Sequence, residues 1–159
     1  MKKILFSIAA SIVTTIGFAQ TKSINNLTQQ YLQIQSALAG DDASKANTAA
    51  TTFAKEVTDI KMSDISPTLH PTFMQYQKAL IKDSKAIAAN NDIKSQRKAF
   101  ADLSKSMIAL AKTDKISNTA LYEDYCPMKK TSWLSSNKEI QNPYFGSSML
   151  DCGKVTTTY

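Results

Sequence analysis

The chain has 159 residues, with 19 lysine and arginine residues against 13 aspartate and glutamate residues, and a net charge of +6. The basic residues are scattered and include a single arginine, Arg97, whereas nucleic-acid-binding proteins concentrate them on one face, so a nucleic-acid partner is excluded. The four glycines form no phosphate-binding loop, which argues against a nucleotide-dependent enzyme.

Residues 1–19 have the pattern of a secretory signal peptide. Lys2 and Lys3 precede an apolar stretch of about 15 residues, and Gly17 and Ala19 supply the small residues of a cleavage site. The stretch is shorter than the roughly 20 apolar residues of a membrane-spanning helix, and no cysteine near the cleavage point offers a lipid acceptor. We therefore expect export, cleavage before Gln20, and a periplasmic or secreted protein without a membrane anchor.

Four stretches between residues 23 and 112 carry apolar side chains at the three- and four-residue spacing of an amphipathic helix. The first two stripes are Ile24, Leu27, Tyr31, Ile34 and Leu38, followed by Ala46, Ala50, Phe53, Val57 and Ile60. The third and fourth are Phe73, Tyr76, Leu80 and Ile87, followed by Ile93, Gln96, Phe100, Leu103, Met107 and Leu110.

Capping residues mark the helix ends. Ser23, the Asp41–Asp42 pair and Asp92 can each cap a helix start, and Pro71 suits the first turn of the third helix. Because single apolar stripes must pack on one another and short connections favour antiparallel neighbours, the predicted fold is an all-α, up-down four-helix bundle. Residues 20–159 are expected to form one domain.

The C-terminal segment, residues 116–159, has no helical stripe. It is rich in aromatic residues, and residues 121–125 and 155–159 have the composition of short strands. We expect a compact, partly β segment that packs on the bundle. Within it, Glu123 and Asp124 are adjacent and are predicted to be solvated rather than to act as an acid–base pair.

Sulfur-containing residues occur in pairs at two places in this segment. Cys126 is followed by Met128, and Met149 precedes Cys152. Thiolate and thioether ligands select soft ions such as Cu(I) and Ag(I), so the four residues are candidate metal ligands if the two places meet. His70, the only histidine, is a possible further ligand.

Other interpretations of these residues stay open. Two cysteines in an exported domain most often form a disulfide, here Cys126–Cys152, in a structural or protein-interaction domain without metal. The two methionines can equally fill a core, and His70 beside Pro71 can be a surface or capping residue. A single histidine gives thin support for a cysteine–histidine catalytic pair, so we do not expect an enzyme.

The chain resembles the domain of unknown function 3347 family. The resemblance is most specific in the C-terminal segment, through the blocks Tyr125-Cys126-Pro127-Met128, Trp133-Leu134-Ser135, Glu139-Ile140, Asn142-Pro143-Tyr144-Phe145-Gly146, Met149-Leu150 and Cys152-Gly153. The resemblance implies a helical bundle with a sulfur-bearing C-terminal segment in an exported bacterial protein. Because similar domains occur fused to adaptor subunits of heavy-metal efflux pumps, it also implies copper or silver handling, with an efflux adaptor or copper-handling protein as partner.

Overall fold

The computed structural model describes residues 16–159. The predicted signal peptide lies outside the described residues except for its last four, which belong to the first helix. Its cleavage therefore stays a prediction. Among residues 16–159, no helix combines the length and the apolar composition that a membrane-spanning segment requires.

The described chain forms four helices followed by a small sheet, and the helices are α1 (Ile16–Ala39), α2 (Ala43–Asp59), α3 (His70–Ala88) and α4 (Ile93–Thr113). The four predicted helices are confirmed. The predicted start of the first helix at Ser23 is wrong, because the helical backbone begins at Ile16 and Ser23 lies within it.

The predicted caps of the second and fourth helices are present. The Asp42 carboxylate accepts a hydrogen bond of 2.9 Å from the Lys45 amide, and the Asp92 carboxylate accepts one of 3.0 Å from the Ser95 amide. The connection from α1 to α2 turns at Asp41, whose φ of 59° lies in the left-handed region. That turn lets α2 follow α1 after only three residues, so these two helices pack on each other.

The predicted apolar stripes form the core between the helices. Consecutive helices pack on one another, and α4 also contacts α1. The largest fully buried helical side chains are Tyr31, Phe53, Phe73, Phe100, Leu27, Ile34, Leu38, Leu80 and Ile87. Since each of these positions belongs to a predicted stripe, periodicity alone located most of the core.

The C-terminal part contains a three-stranded antiparallel sheet of strands β1 (Tyr122–Cys126), β2 (Thr131–Ser135) and β3 (Lys154–Thr158), in the order β2-β1-β3. Strands β1 and β3 agree with the predicted strand segments, whereas β2 was not predicted. Trp133 and Leu134 of β2 are fully buried where this strand packs on α1 and α4. The protein is thus mostly helical with a small sheet on one side of the helices.

Candidate functional site

Strand pairing brings the two cysteines together. Cys126 is the last residue of β1, Cys152 lies just before β3, and Tyr125 pairs with Lys154 in the sheet. The two Sγ atoms are 3.7 Å apart and both thiols are free. A disulfide requires about 2.05 Å between the sulfurs, so the two thiols are not bonded to each other in the structure and lie in van der Waals contact.

The two thiols differ in exposure. Cys126 is fully buried, and its Sγ accepts a hydrogen bond of 3.4 Å from the Lys129 backbone amide. Cys152 is half-buried and lies on the solvent side of the pair. Burial raises the pKa of the Cys152 thiol, the adjacent Cys126 thiol raises it further, and the Met128 backbone amide opposes the rise. A cation bound between the sulfurs would offset the repulsion between two adjacent negative thiolates.

The two candidate methionines lie in the turns that flank the thiols, but their side chains face solvent. Met128 is 67% exposed and Met149 is 37% exposed. The backbone of both residues is nevertheless close to Cys152, since the Met128 amide hydrogen-bonds its sulfur and the Met149 carbonyl accepts from its amide at 3.1 Å. The structure places the thioethers beside the dithiol without enclosing them against it.

The structure does not bring His70 to the sulfur atoms. Its Nε2 is 2.6 Å from the Met62 carbonyl oxygen, at the start of α3. Thr72, two residues after His70, hydrogen-bonds Thr113, so His70 lies beside the end of α4. The segment before Cys152 contacts Arg97, so that segment lies beside the start of α4. Helix α4 has 21 residues and is about 30 Å long, so His70 lies at the opposite end of the helices.

Oxygen and nitrogen ligands form no metal site in the part of the chain that the structure describes. Within residues 16–159, no group of three or more histidine, cysteine, aspartate or glutamate side chains is arranged to hold an ion. A metal at Cys126 and Cys152 would depend on sulfur ligands, which favour ions such as Cu(I) and Ag(I) over Mg²⁺ or Ca²⁺.

Arg97 fastens the segment before Cys152 to the helices. Its guanidinium donates hydrogen bonds of 2.9 Å to the carbonyl oxygens of Pro143 and Leu38, and one of 2.5 Å to Asp41. The other Asp41 oxygen accepts from the Ser147 amide at 2.9 Å, and these contacts hold the pKa of Asp41 down at about 2. Sequence analysis missed this anchor, although a lone arginine is a residue type suited to multiple carbonyl and carboxylate contacts.

Aromatic side chains complete the attachment of the sheet. The Tyr144 ring packs edge-on against Trp133, with ring centroids 5.7 Å apart, and contacts Phe100 of α4 at 5.9 Å. Its hydroxyl donates to the Ser132 carbonyl oxygen at 2.7 Å. The conformation of the Cys152 segment is further fixed by Asn142, whose side-chain amide donates to the Cys152 carbonyl oxygen at 2.5 Å.

A buried acid lies behind the dithiol. Asp124 pairs with Trp133 across the sheet and is fully buried, and neither carboxylate oxygen nor the Trp133 indole nitrogen has a hydrogen-bond partner. Burial raises the pKa of Asp124 to about 7. The prediction that Asp124 is solvated is wrong, because residues alternate along β1 and Asp124 shares the inward face with Cys126.

These features define a mostly helical protein with a dithiol at the end of the central strand of a small sheet. A family model described as protein of unknown function (DUF3347) matches residues 27–119, more than half of the chain. The chain belongs to this family, which confirms the resemblance. The match covers most of α1, all of the other three helices, and ends before β1, so the cysteines lie outside it. No curated protein and no solved structure matches the chain.

Proposed function

We propose that this protein binds a soft monovalent ion, Cu(I) or Ag(I), between the thiols of Cys126 and Cys152. The observation that carries the proposal is their 3.7 Å sulfur–sulfur distance. Two thiolate sulfurs that each lie about 2.3 Å from a tetrahedral Zn²⁺, a d¹⁰ ion like Cu(I), are about 3.8 Å apart. The dithiol is thus spaced for an ion without movement of the backbone.

Met128 and Met149 are the proposed additional ligands. Both lie in turns next to the dithiol, and both have exposed, flexible side chains that can rotate toward a bound ion. A neutral thioether adds softness to the site without adding charge, so the methionines would tune affinity while the thiolates supply most of it. His70, predicted as a further ligand, is not needed in this arrangement because it lies at the other end of the helices.

The proposed role is sequestration or delivery of the ion rather than catalysis. An exported protein, cleaved before Gln20, would meet copper or silver ions in the periplasm or outside the cell. The family resemblance supports an efflux adaptor or another copper-handling protein as the recipient. Detection of periplasmic protein that begins near Gln20 by mass spectrometry would test the export step, and protein that retains Met1 would contradict it.

The scaffold under the site is proposed to be an up-down bundle in a single domain. Contacts between helix ends support this arrangement. Asn47 near the start of α2 donates to the Ala88 carbonyl oxygen at the end of α3, and Arg97 near the start of α4 reaches Leu38 at the end of α1. Neighbouring helices that meet start to end in this way run antiparallel.

The same sulfur distance also favours a second candidate, a structural domain closed by a Cys126–Cys152 disulfide. A small side-chain rotation brings sulfurs at 3.7 Å into bonding distance. The closed loop of about 27 residues would add roughly 3 to 4 kcal/mol of stability in the chain-entropy model. In that case the thiols would be consumed and no ion would bind.

Competition with a chromophoric Cu(I) chelator, on reduced protein and on protein isolated without reductant, separates the two candidates. The metal site keeps its thiols in both preparations, whereas a native disulfide allows Cu(I) binding only after reduction. We expect one Cu(I) per wild-type chain, and a loss of at least about 100-fold in affinity for Cys126→Ser or Cys152→Ser, since thiolates supply the charge. Met128→Leu and Met149→Leu should weaken binding less, and Met74→Leu, an exposed methionine on α3, is the matched control. Equal, weak binding by wild type and the double Cys→Ser variant would overturn the metal proposal and leave the disulfide.

A further inference from the structure

Exposed apolar side chains are concentrated around the dithiol. Among the described residues, five large hydrophobic side chains are exposed, and all but Met74 lie within three residues of Cys126 or Cys152. These four side chains are Met128, Met149, Leu150 and Val155. We call these four side chains, together with Lys129, Lys130 and Lys154, the thiol-flanking surface. Clustered apolar residues on a protein surface mark interaction sites, and methionine is enriched in protein interfaces.

The charge of this surface is mainly positive. Exposed Lys129 and Lys130 follow Met128, exposed Lys154 follows Cys152, and Asp151 is the one acidic residue between Met149 and Val155. Lysines beside a thiol pair repel a free Cu(I) or Ag(I) cation and attract an anionic carrier of that cation. An apolar centre with a basic surround therefore fits a protein partner better than a free ion.

We propose that the thiol-flanking surface docks an acidic protein that carries Cu(I) or Ag(I) on thioether or thiolate ligands and transfers the ion to Cys126 and Cys152. This inference rests on the proposed function. The partner's acidic side chains would pair with Lys129, Lys130 and Lys154, and its apolar contact area would cover Met128 and Leu150.

The exposure of the two thiols sets the order of transfer. Cys152 is half-buried whereas Cys126 is fully buried, so the Cys152 sulfur is the first to reach an ion held by a docked partner. The Cys152 thiol loses its proton to solvent, its sulfur binds the ion, and one partner ligand leaves. Cys126 then repeats this exchange. The ion keeps its oxidation state throughout, so no oxidant or reductant is required.

Transfer from two synthetic peptides tests the proposal. Both peptides carry Cu(I) on the same methionines, but one has four flanking aspartates where the other has four asparagines. Stopped-flow absorbance of the Cu(I)–thiolate bond would report the transfer rate to the reduced full chain. We expect transfer at low ionic strength to be about 10-fold faster from the acidic peptide, with the advantage lost as salt is added.

Two triple variants with the same change in net charge show which lysines cause the faster transfer from the acidic peptide. The triple variant Lys129→Gln, Lys130→Gln, Lys154→Gln should lose the advantage of the acidic peptide without losing equilibrium affinity for Cu(I). The control triple variant Lys55→Gln, Lys78→Gln, Lys82→Gln removes exposed lysines from α2 and α3 and should retain the advantage. Equal rates from the two peptides, or equal slowing in both triple variants, would overturn the docking proposal.

Fluorescence anisotropy with the labelled, metal-free acidic peptide distinguishes failure of docking from failure of metal binding. The Cys126→Ser, Cys152→Ser double variant should still bind this peptide, because the lysines and apolar side chains remain. Leu150→Ser should weaken peptide binding several-fold, and Met74→Ser should not. Peptide binding without Cu(I) uptake would support the surface and refute the metal site, whereas Cu(I) uptake without peptide binding would refute the surface.

Discussion

The four helices are held together mainly by apolar packing, whereas the C-terminal segment combines apolar packing with specific polar bonds. The helices share a continuous apolar core in which Phe53, Phe73 and Leu80 are fully buried. The sheet enters the same apolar cluster through residues such as Leu134, whose backbone amide also donates a hydrogen bond of 3.0 Å to the Tyr31 hydroxyl. Core packing tolerates volume-conserving change, but a single lost polar partner leaves a buried group unsatisfied. We therefore expect the loss of one polar partner in the C-terminal segment to loosen the attachment of the dithiol to the helices.

Phe100→Ala should have the largest effect because this side chain belongs to both regions. Its ring stacks on Tyr31, with centroids 5.2 Å apart, and contacts Tyr144 of the C-terminal segment. We expect a loss of roughly 3 to 5 kcal/mol in the free energy of unfolding, measured with urea under reducing conditions. Met74→Ala, at an exposed position, is the control. A loss below about 0.5 kcal/mol would show that Phe100 does not connect the two regions.

The pH dependence of stability should depend on Asp124. Because its folded pKa of about 7 exceeds the usual value near 3.9, the folded state binds more protons than the unfolded state between these values. Asp124 therefore makes the free energy of unfolding fall by on the order of 3 kcal/mol as pH rises from about 4 to about 7.

Urea titrations of wild type and Asp124→Asn at several pH values would measure this contribution. The variant should lack most of the decline, and Asp151→Asn, at an exposed acid of the same segment, should retain it. Parallel pH profiles for wild type and Asp124→Asn would contradict the assignment.

Gly146→Ala should loosen the C-terminal segment more than the helices. Gly146 has a φ of 58°, and a Cβ there would clash with the side chains of Asp41 and Arg97. We expect a cost of about 1 to 2 kcal/mol, with faster amide hydrogen exchange at residues 142–152 than in the helices. Gly40→Ala is the matched control, since its Cβ would meet nothing closer than 3.4 Å. Equal loss of hydrogen-exchange protection at residues 142–152 and in the helices would show that the two regions unfold together.

Met128→Leu should have the smallest effect on stability. The side chain is 67% exposed and leucine has a similar volume, so the free energy of unfolding should change by less than about 0.5 kcal/mol. A larger loss would assign Met128 to the packing of the segment instead of the surface beside the dithiol.

Much of the helical part could be predicted from sequence because apolar spacing and helix caps depend only on residues close together in the chain. The spacing of Leu27, Tyr31, Ile34 and Leu38 defines a buried stripe whatever the helix packs against, and Asp42 and Asp92 cap helices through their own neighbours. The start of α1 was missed because a serine marks a helix start only where the chain before it is not helical, and α1 already begins at Ile16.

The four helices, most of their core and the candidate sulfur ligands can be identified from the amino-acid sequence alone. Tertiary packing determines that β1 and β3 place Cys126 and Cys152 together, that β2 buries Trp133, and that Asp124 faces inward. It also determines that Met128 faces solvent and that His70 lies far from the thiols. The physical reason is that strand pairing joins residues distant in sequence, and no local periodicity records which strands become neighbours.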